Sequence, residues 1–160
     1  ATVLPATTSK LPGDRKKMII RKSKAEWKGD LKTGKGNIEF GSGAYSGPYS
    51  FNSRFADGTG TNPEELIAAA HSGCFSMAFS LALQTAGYIA QRIHTTASVK
   101  LEPSGGGFAI TGIDLVNESV IPGISDEQLQ VIAADAKANC PVSKALSAVP
   151  TSLRATLVAE

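Results

Sequence analysis

The chain has 160 residues, 42% of them hydrophobic and 19% charged, with a net charge of +2. That length supports one domain with its own core. Acids interspersed with bases exclude a chain built chiefly to grip nucleic acid or an anionic membrane surface. No apolar run is expected to reach bilayer-spanning length. Residues 1–17 (ATVLPATTSKLPGDRKK) lack the compact apolar stretch of a secretory signal. They read as an N-terminal extension to a single domain over 18–160, expected in the cytoplasm.

From residue 18, MIIRKSKAEW has strand character and KGD follows as a turn. GNIEF, bounded by glycines, reads as a second strand. GSGAYSGPYS reads as a loop, and YSFNSRF as a third strand ending near Arg54. ADGTG separates this region from a helix with clear start signals. Asn62 is the expected N-cap, Pro63 the first helical residue, and Glu65 the third residue of a capping box. Leu66, Ala70, Cys74, Met77 and Leu81 recur at helical spacing as an apolar seam. Almost every position over 67–83 is small or apolar, the composition of a helix covered on most sides. Gly87 is suited to terminate it.

IHTTASVKLE (93–102) and FAITGIDLVNESV (108–120) alternate, with PSGGG as a hairpin turn between them. Ser125 and Gln128 form a capping box for a second helix with Leu129, Ile132, Ala133 and Ala136 inward, ending at Asn139. Pro141 restarts a short helix to about residue 147, and TSLRATLVA closes the chain as a strand. The sum is an α+β fold: antiparallel strands in two groups, with two principal helices between them.

The chain has two cysteines, Cys74 and Cys140, and both lie beside helix signals. An unpaired cysteine in an Ala-rich helix ordinarily packs as a small hydrophobe. In a reducing compartment a permanent structural disulfide is not expected. Cys140, just before a proline at a helix start, stands where unpaired N–H groups favour thiolate. Two such thiols without a CxxC motif fit a peroxide-attacking and resolving pair.

FNSRF, TNPEELIAAAHSGCFSMAFSLAL and KANCPVSKAL resemble, in order, segments of the OsmC/Ohr family of thiol-dependent hydroperoxide reductases, its osmotically inducible branch in particular. The likeness runs from about residue 24 to the C-terminus. It implies an OsmC-like fold, an intertwined homodimer with the site near the interface, and reduction of organic hydroperoxides in preference to hydrogen peroxide. By position it makes Cys74 the attacking thiolate, Cys140 the resolving thiol, Arg54 the active-site guanidinium and Glu64 its carboxylate partner. It also implies a dithiol reductant, in the family often a lipoylated protein. No cofactor or metal is expected.

The chemistry asks for these residue types on its own terms. Complete ionisation of a thiol at neutral pH gains only about thirtyfold in reactive species. A guanidinium must therefore also stabilise the leaving alkoxide. Glu64 and Cys74 stand ten residues apart, a rise of roughly 15 Å on a straight helix. Either Arg54 spans part of that gap and the helix bends, or the acid reaching a given Cys74 comes from a partner chain, which is the favoured expectation. Phe75, Met77, Phe79 and Phe108 are candidates for an apolar substrate pocket.

Three other readings use the same residues. His71, one turn before Cys74, allows a Cys–His hydrolase, or a zinc site with His94 and Cys140. No motif for an oxyanion hole supports the first, and packing or a supporting polar role is the ordinary reading of His71. A redox sensor or apolar-ligand module would use the same thiols, but no helix-turn-helix with a basic recognition helix is present.

Overall fold

The computed structural model describes residues 18–159. The N-terminal extension expected over 1–17 lies outside the described residues. Three short strands, β1 (Ser23–Lys28), β2 (Lys35–Phe40) and β3 (Ser46–Tyr49), form an antiparallel meander. Gly36 sits between Trp27 and Tyr49 in register, and a Cβ there would lie 2.3 Å from the Tyr49 ring. Glycine lets the two aromatic rings close over it at 5.3 Å.

The segment after β3 departs from the sequence expectation. Residues 46–49, expected in a loop, are β3, and Phe51–Phe55 is a helical turn, α1, instead of a strand. Ser50 and Ser53 form a reciprocal capping box, which overrides the β-propensity of the flanking aromatics. Ser53 is buried, and its hydroxyl also donates to the Thr61 carbonyl at 2.7 Å.

The long helix α2 spans Pro63–Thr85 in one continuous piece. Asn62 caps it as expected, accepting from the Glu65 N–H at 2.8 Å. The Glu65 carboxylate does not return to Asn62. It accepts from Thr61 Oγ1 at 2.7 Å, so the expected capping box is half formed. Gly87 ends the helix in the left-handed region, φ 89°.

β4 (Arg92–Ser104) and β5 (Gly107–Val120) form the expected hairpin, turning at Gly105 and Gly106, both with positive φ. α3 (Asp126–Asn139) carries the Ser125–Gln128 capping box, α4 spans Pro141–Ala145, and β6 (Thr151–Leu157) closes the fold. β6 pairs with β5 in parallel, which corrects the expectation of wholly antiparallel sheets. The cause is that α3 and α4 form a crossover between the two strands.

The core lies between α2, α3 and the β4–β5–β6 sheet. Phe75, Phe79, Leu83, Ile113, Leu115 and Leu129 are its largest fully enclosed apolar side chains. The buried stripe of α2 is therefore Glu64, His71, Phe75, Phe79 and Leu83. The seam expected from spacing faces the other way: Met77 is 78% and Leu81 65% exposed. An 18-residue window of α2 has a mean hydropathy of 1.6, enough by length and composition to cross a bilayer, contrary to the expectation that no run reaches that length. Only 22% of that window is buried within one chain. α2 is thus apolar on two sides and covered on one.

Candidate active site

α2 and the α3–α4 junction bring the two cysteines together. Cys74 sits midway along α2 and is partly exposed. Cys140 is fully buried and is at once the C-cap of α3 and the N-cap of α4. Pro141 fixes the first position of α4 and carries no N–H, so it removes one of the donors that a helix start leaves unpaired. Both thiols are reduced, with Cys140 Sγ donating to Cys74 Sγ at 2.9 Å.

The surroundings split the two acidities. Burial, together with the neighbouring Cys140, pushes the Cys74 thiol up, against a lowering contact from the Val142 N–H. Burial also raises Cys140. Its contacts with Cys74, with the Ser143 N–H and hydroxyl and with the Val142 N–H outweigh this, and its pKa falls below the ordinary value. A closely coupled pair shares its first proton loss. Within a single chain the shifts favour Cys140 as the sulfur that gives up its proton first, whereas the family resemblance implies an anionic Cys74.

The expected guanidinium and its carboxylate do meet. Arg54 donates to Glu64 through two nitrogens, Nη2 to Oε1 at 2.7 Å and Nε to Oε2 at 3.2 Å. The Glu64 side chain is only 10% exposed. The fork is set by local folding: α1 is tied to the start of α2 by Ser53–Thr61 and by Asn62 Nδ2 donating to the Ser53 carbonyl at 3.0 Å. Arg54 also lies over the Phe55 ring at 5.2 Å. It opens onto an apolar cavity of about 220 Å³ shared with Trp27, Leu31, Tyr49 and Phe51. This pair is at the first turn of α2 and Cys74 is ten residues further along the same helix. Among the described residues no cation acts on the Cys74 sulfur within the chain. The structure therefore brings the cysteines to each other and the ion pair to itself, as two half-sites.

Cys74 opens onto a larger apolar cavity of about 960 Å³ between α2 and α3. Met77, Ala78, Leu81 and Ala82 form one wall and Ala136 and Pro141 the other, with Asp135 and Asn139 as polar groups at the lining. Of the four expected pocket residues only Met77 is there. Phe75 and Phe79 stack on each other in the core. Phe108 is 57% exposed and packs on Phe55. Helical spacing put Phe75 and Phe79 beside Cys74 in sequence, but each lies on the sheet-facing side of α2.

His71 is fully buried, with Nε2 at 2.7 Å from Ser143 Oγ and Nδ1 without a partner. It bonds Ser143 rather than a sulfur, so no Cys–His pair forms. His94 is on the exposed face of β4, away from α2, and no zinc set with Cys140 assembles. Ser143 escaped the sequence analysis. Its only signal is position, three residues after Cys140 in NCPVS.

The profile of the family described as OsmC-like protein matches residues 56–154. Peroxiredoxin OsmC of Escherichia coli K12 is 50% identical over 131 residues, 81% of this chain and 92% of that protein. The organic hydroperoxide resistance protein of Xanthomonas axonopodis pv. citri is 34% identical over 91 residues, 56% of this chain and 62% of that protein. Among solved structures, the organic hydroperoxide resistance protein OhrB of Bacillus subtilis superposes with a TM-score of 0.68 at 27% identity, covering 84% of this chain and 98% of that one. The segment carrying both cysteines and the identity across most of the E. coli protein lead to one conclusion: the chain belongs to the OsmC-like protein family.

Proposed function

We propose that the protein is a cysteine-dependent peroxidase that reduces organic hydroperoxides to alcohols, with a thiol compound as the reductant. The observation that carries the reading is the meeting of two reduced sulfurs at 2.9 Å on the wall of an apolar cavity. The sulfurs need to close by less than about 1 Å to reach disulfide bond length. The cavity is apolar and large enough for an alkyl hydroperoxide. The names of the relatives, a peroxiredoxin and organic hydroperoxide resistance proteins, support the same chemistry.

In the mechanism, the Cys74 thiolate attacks the distal peroxide oxygen. The O–O bond breaks, an alkoxide leaves and takes up a proton, and Cys74 becomes a sulfenic acid. Cys140 then attacks that sulfur, water departs, and a Cys74–Cys140 disulfide remains for a dithiol to reduce. The resemblance to the family supports a lipoylated protein as that dithiol, a cytoplasmic setting, and hydrogen peroxide as the poorer substrate.

Arg54, held by Glu64, anchors the attacked peroxide and stabilises the leaving alkoxide. It acts across a homodimer in this reading, with the Arg54–Glu64 pair of one chain facing Cys74 of the other; the ten-residue separation of the half-sites along α2 supports it. The uncovered apolar side of α2 supports that pairing.

The test is peroxide consumption with tert-butyl hydroperoxide and a dithiol, followed in the protein and in its Cys74→Ser variant. Sustained turnover that vanishes in the variant is expected. One stoichiometric oxidation and no more would identify a sensor instead, and turnover undiminished in the variant would remove Cys74 from the chemistry.

A further inference from the structure

His71 is the one described residue with a buried polar side-chain atom lacking any partner, its Nδ1. An uncapped N–H in such a place is rarer than an uncapped acceptor. The proton therefore belongs on Nε2, which donates to Ser143 Oγ at 2.7 Å. With its oxygen so engaged, the Ser143 hydroxyl hydrogen is free to turn to the sulfur of Cys140, the N-cap of α4 three residues earlier, whose contacts include that hydroxyl. No capping hydrogen bond of ordinary geometry joins that sulfur to α4, so the contact acts as an oriented dipole. Burial, and secondarily the charge of Lys137 on α3, lowers the pKa of His71 and so favours the neutral ring.

We propose that His71 and Ser143 are positioning residues for the second chemical step, holding a hydroxyl hydrogen on the Cys140 sulfur so that it attacks the Cys74 sulfenic acid as a thiolate. The pair contributes no electrons. Cys140 loses its proton, its sulfur forms the S–S bond as the S–O bond of Cys74 breaks, and the departing hydroxide leaves as water with that proton. The lowered pKa of Cys140 agrees with this arrangement, and Ser143 contributes to it through both its N–H and its hydroxyl. The inference rests on the reading of Cys74 as the sulfur that meets peroxide.

The experiment separates the two steps by rapid mixing of reduced protein with one equivalent of cumene hydroperoxide. Sulfenic acid is trapped with a dimedone reagent, and disulfide is followed by loss of free thiol. In Ser143→Ala the formation of sulfenic acid is expected to keep its rate, while disulfide closure slows about tenfold at neutral pH, the consequence of a one-unit rise in a thiol pKa. Its pH profile should move to higher pH. Ser143→Thr, which keeps a hydroxyl, should restore closure. His71→Gln should close faster than His71→Leu, because the Gln amide offers an N–H near the Nε2 position. Unchanged closure in Ser143→Ala, or equal slowing of both steps, overturns the proposal. Slowing of the peroxide step alone would make Cys140 the attacking sulfur and overturn the underlying reading as well.

Discussion

The sharpest consequence of the two half-sites concerns the uncovered side of α2. Replacing both Met77 and Leu81 by Asp perturbs that side alone, since these residues are 78% and 65% exposed in one chain. Neither supports the core of its own subunit. Burying a Met or Leu fully is worth about 1.5–3 kcal/mol. Scaled by the exposure each has to lose, and counted in both chains, the two positions contribute roughly 6 kcal/mol to a dimer, or about four decades in its dissociation constant. The charges add a desolvation cost on top. The double variant should therefore sediment as a monomer at micromolar concentration with unchanged circular dichroism. Both residues also line the Cys74 cavity, so activity is best read by complementation. Mixing the double variant with Arg54→Ala protein, itself expected to be nearly inactive, should restore little turnover, because the two chains do not associate. Mixing Arg54→Ala with Cys74→Ser protein should restore activity through one intact cross-chain site. Absence of that restoration in a demonstrated mixed dimer refutes a shared site, and a double variant that remains dimeric refutes the assignment of this face.

Three further outcomes follow from the site. Cys140→Ser should consume one equivalent of peroxide per subunit and stop, as a trappable sulfenic acid at Cys74, and continued turnover with dithiol at the native rate would show that Cys140 is dispensable. Glu64→Gln keeps shape but loosens the two-nitrogen grip on Arg54, so kcat/KM for tert-butyl hydroperoxide should fall about 10- to 100-fold, and a loss under twofold would remove Glu64 from the positioning role. His71, enclosed and neutral with a lowered pKa, takes up its proton more readily in the unfolded chain. Its contribution to stability is therefore present above about pH 6.5 and is lost as pH falls further, with a limiting slope of about 1.4 kcal/mol per pH unit. Urea titrations between about pH 7.5 and 5.5 should show stability falling towards acid with a slope that steepens below about pH 6.5 and stays within that limit, and His71→Gln should flatten it.

Much of this was legible in the residues because local signals agreed with the fold. Asn62-Pro63 and Ser125–Gln128 mark helix starts, and PSGGG marks the hairpin. The misses share a cause. Phe51–Phe55 looked like strand by composition, and a Ser–Ser capping box decided otherwise. The parallel pairing of β6 depends on a crossover, which periodicity cannot report. On α2 both sides are apolar, so spacing alone could not choose the buried one, and Phe75 rather than Met77 went inward. Arg54 and Glu64 are in contact, whereas Ser143 became visible only when folding brought α4 against α2, 72 residues away in sequence.

That ambiguity of α2 is itself informative about the chemistry. A lone helix with an apolar stripe needs one covering surface, and this helix has apolar residues for two. Its own chain supplies β4 and α3 on one side and places Cys74 near the boundary of the other. In that isolated setting burial holds the Cys74 proton on. A thiol so disposed is a weak nucleophile, and no described cation within the chain corrects it. A guanidinium approaching to about 4 Å at a partly buried site changes the balance by roughly 4 kcal/mol, enough to move the shared negative charge of the pair from Cys140 to Cys74. In the proposed dimer, covering the second side of α2 and delivering Arg54 to Cys74 are one event. Assembly would then decide which sulfur is the nucleophile, and titrating single-chain and paired forms for thiolate absorbance in Cys140→Ser protein tests this directly. The Cys74 thiolate should appear at lower pH in the pair, and identical titrations in both forms would show that the charge at Cys74 owes nothing to the second chain.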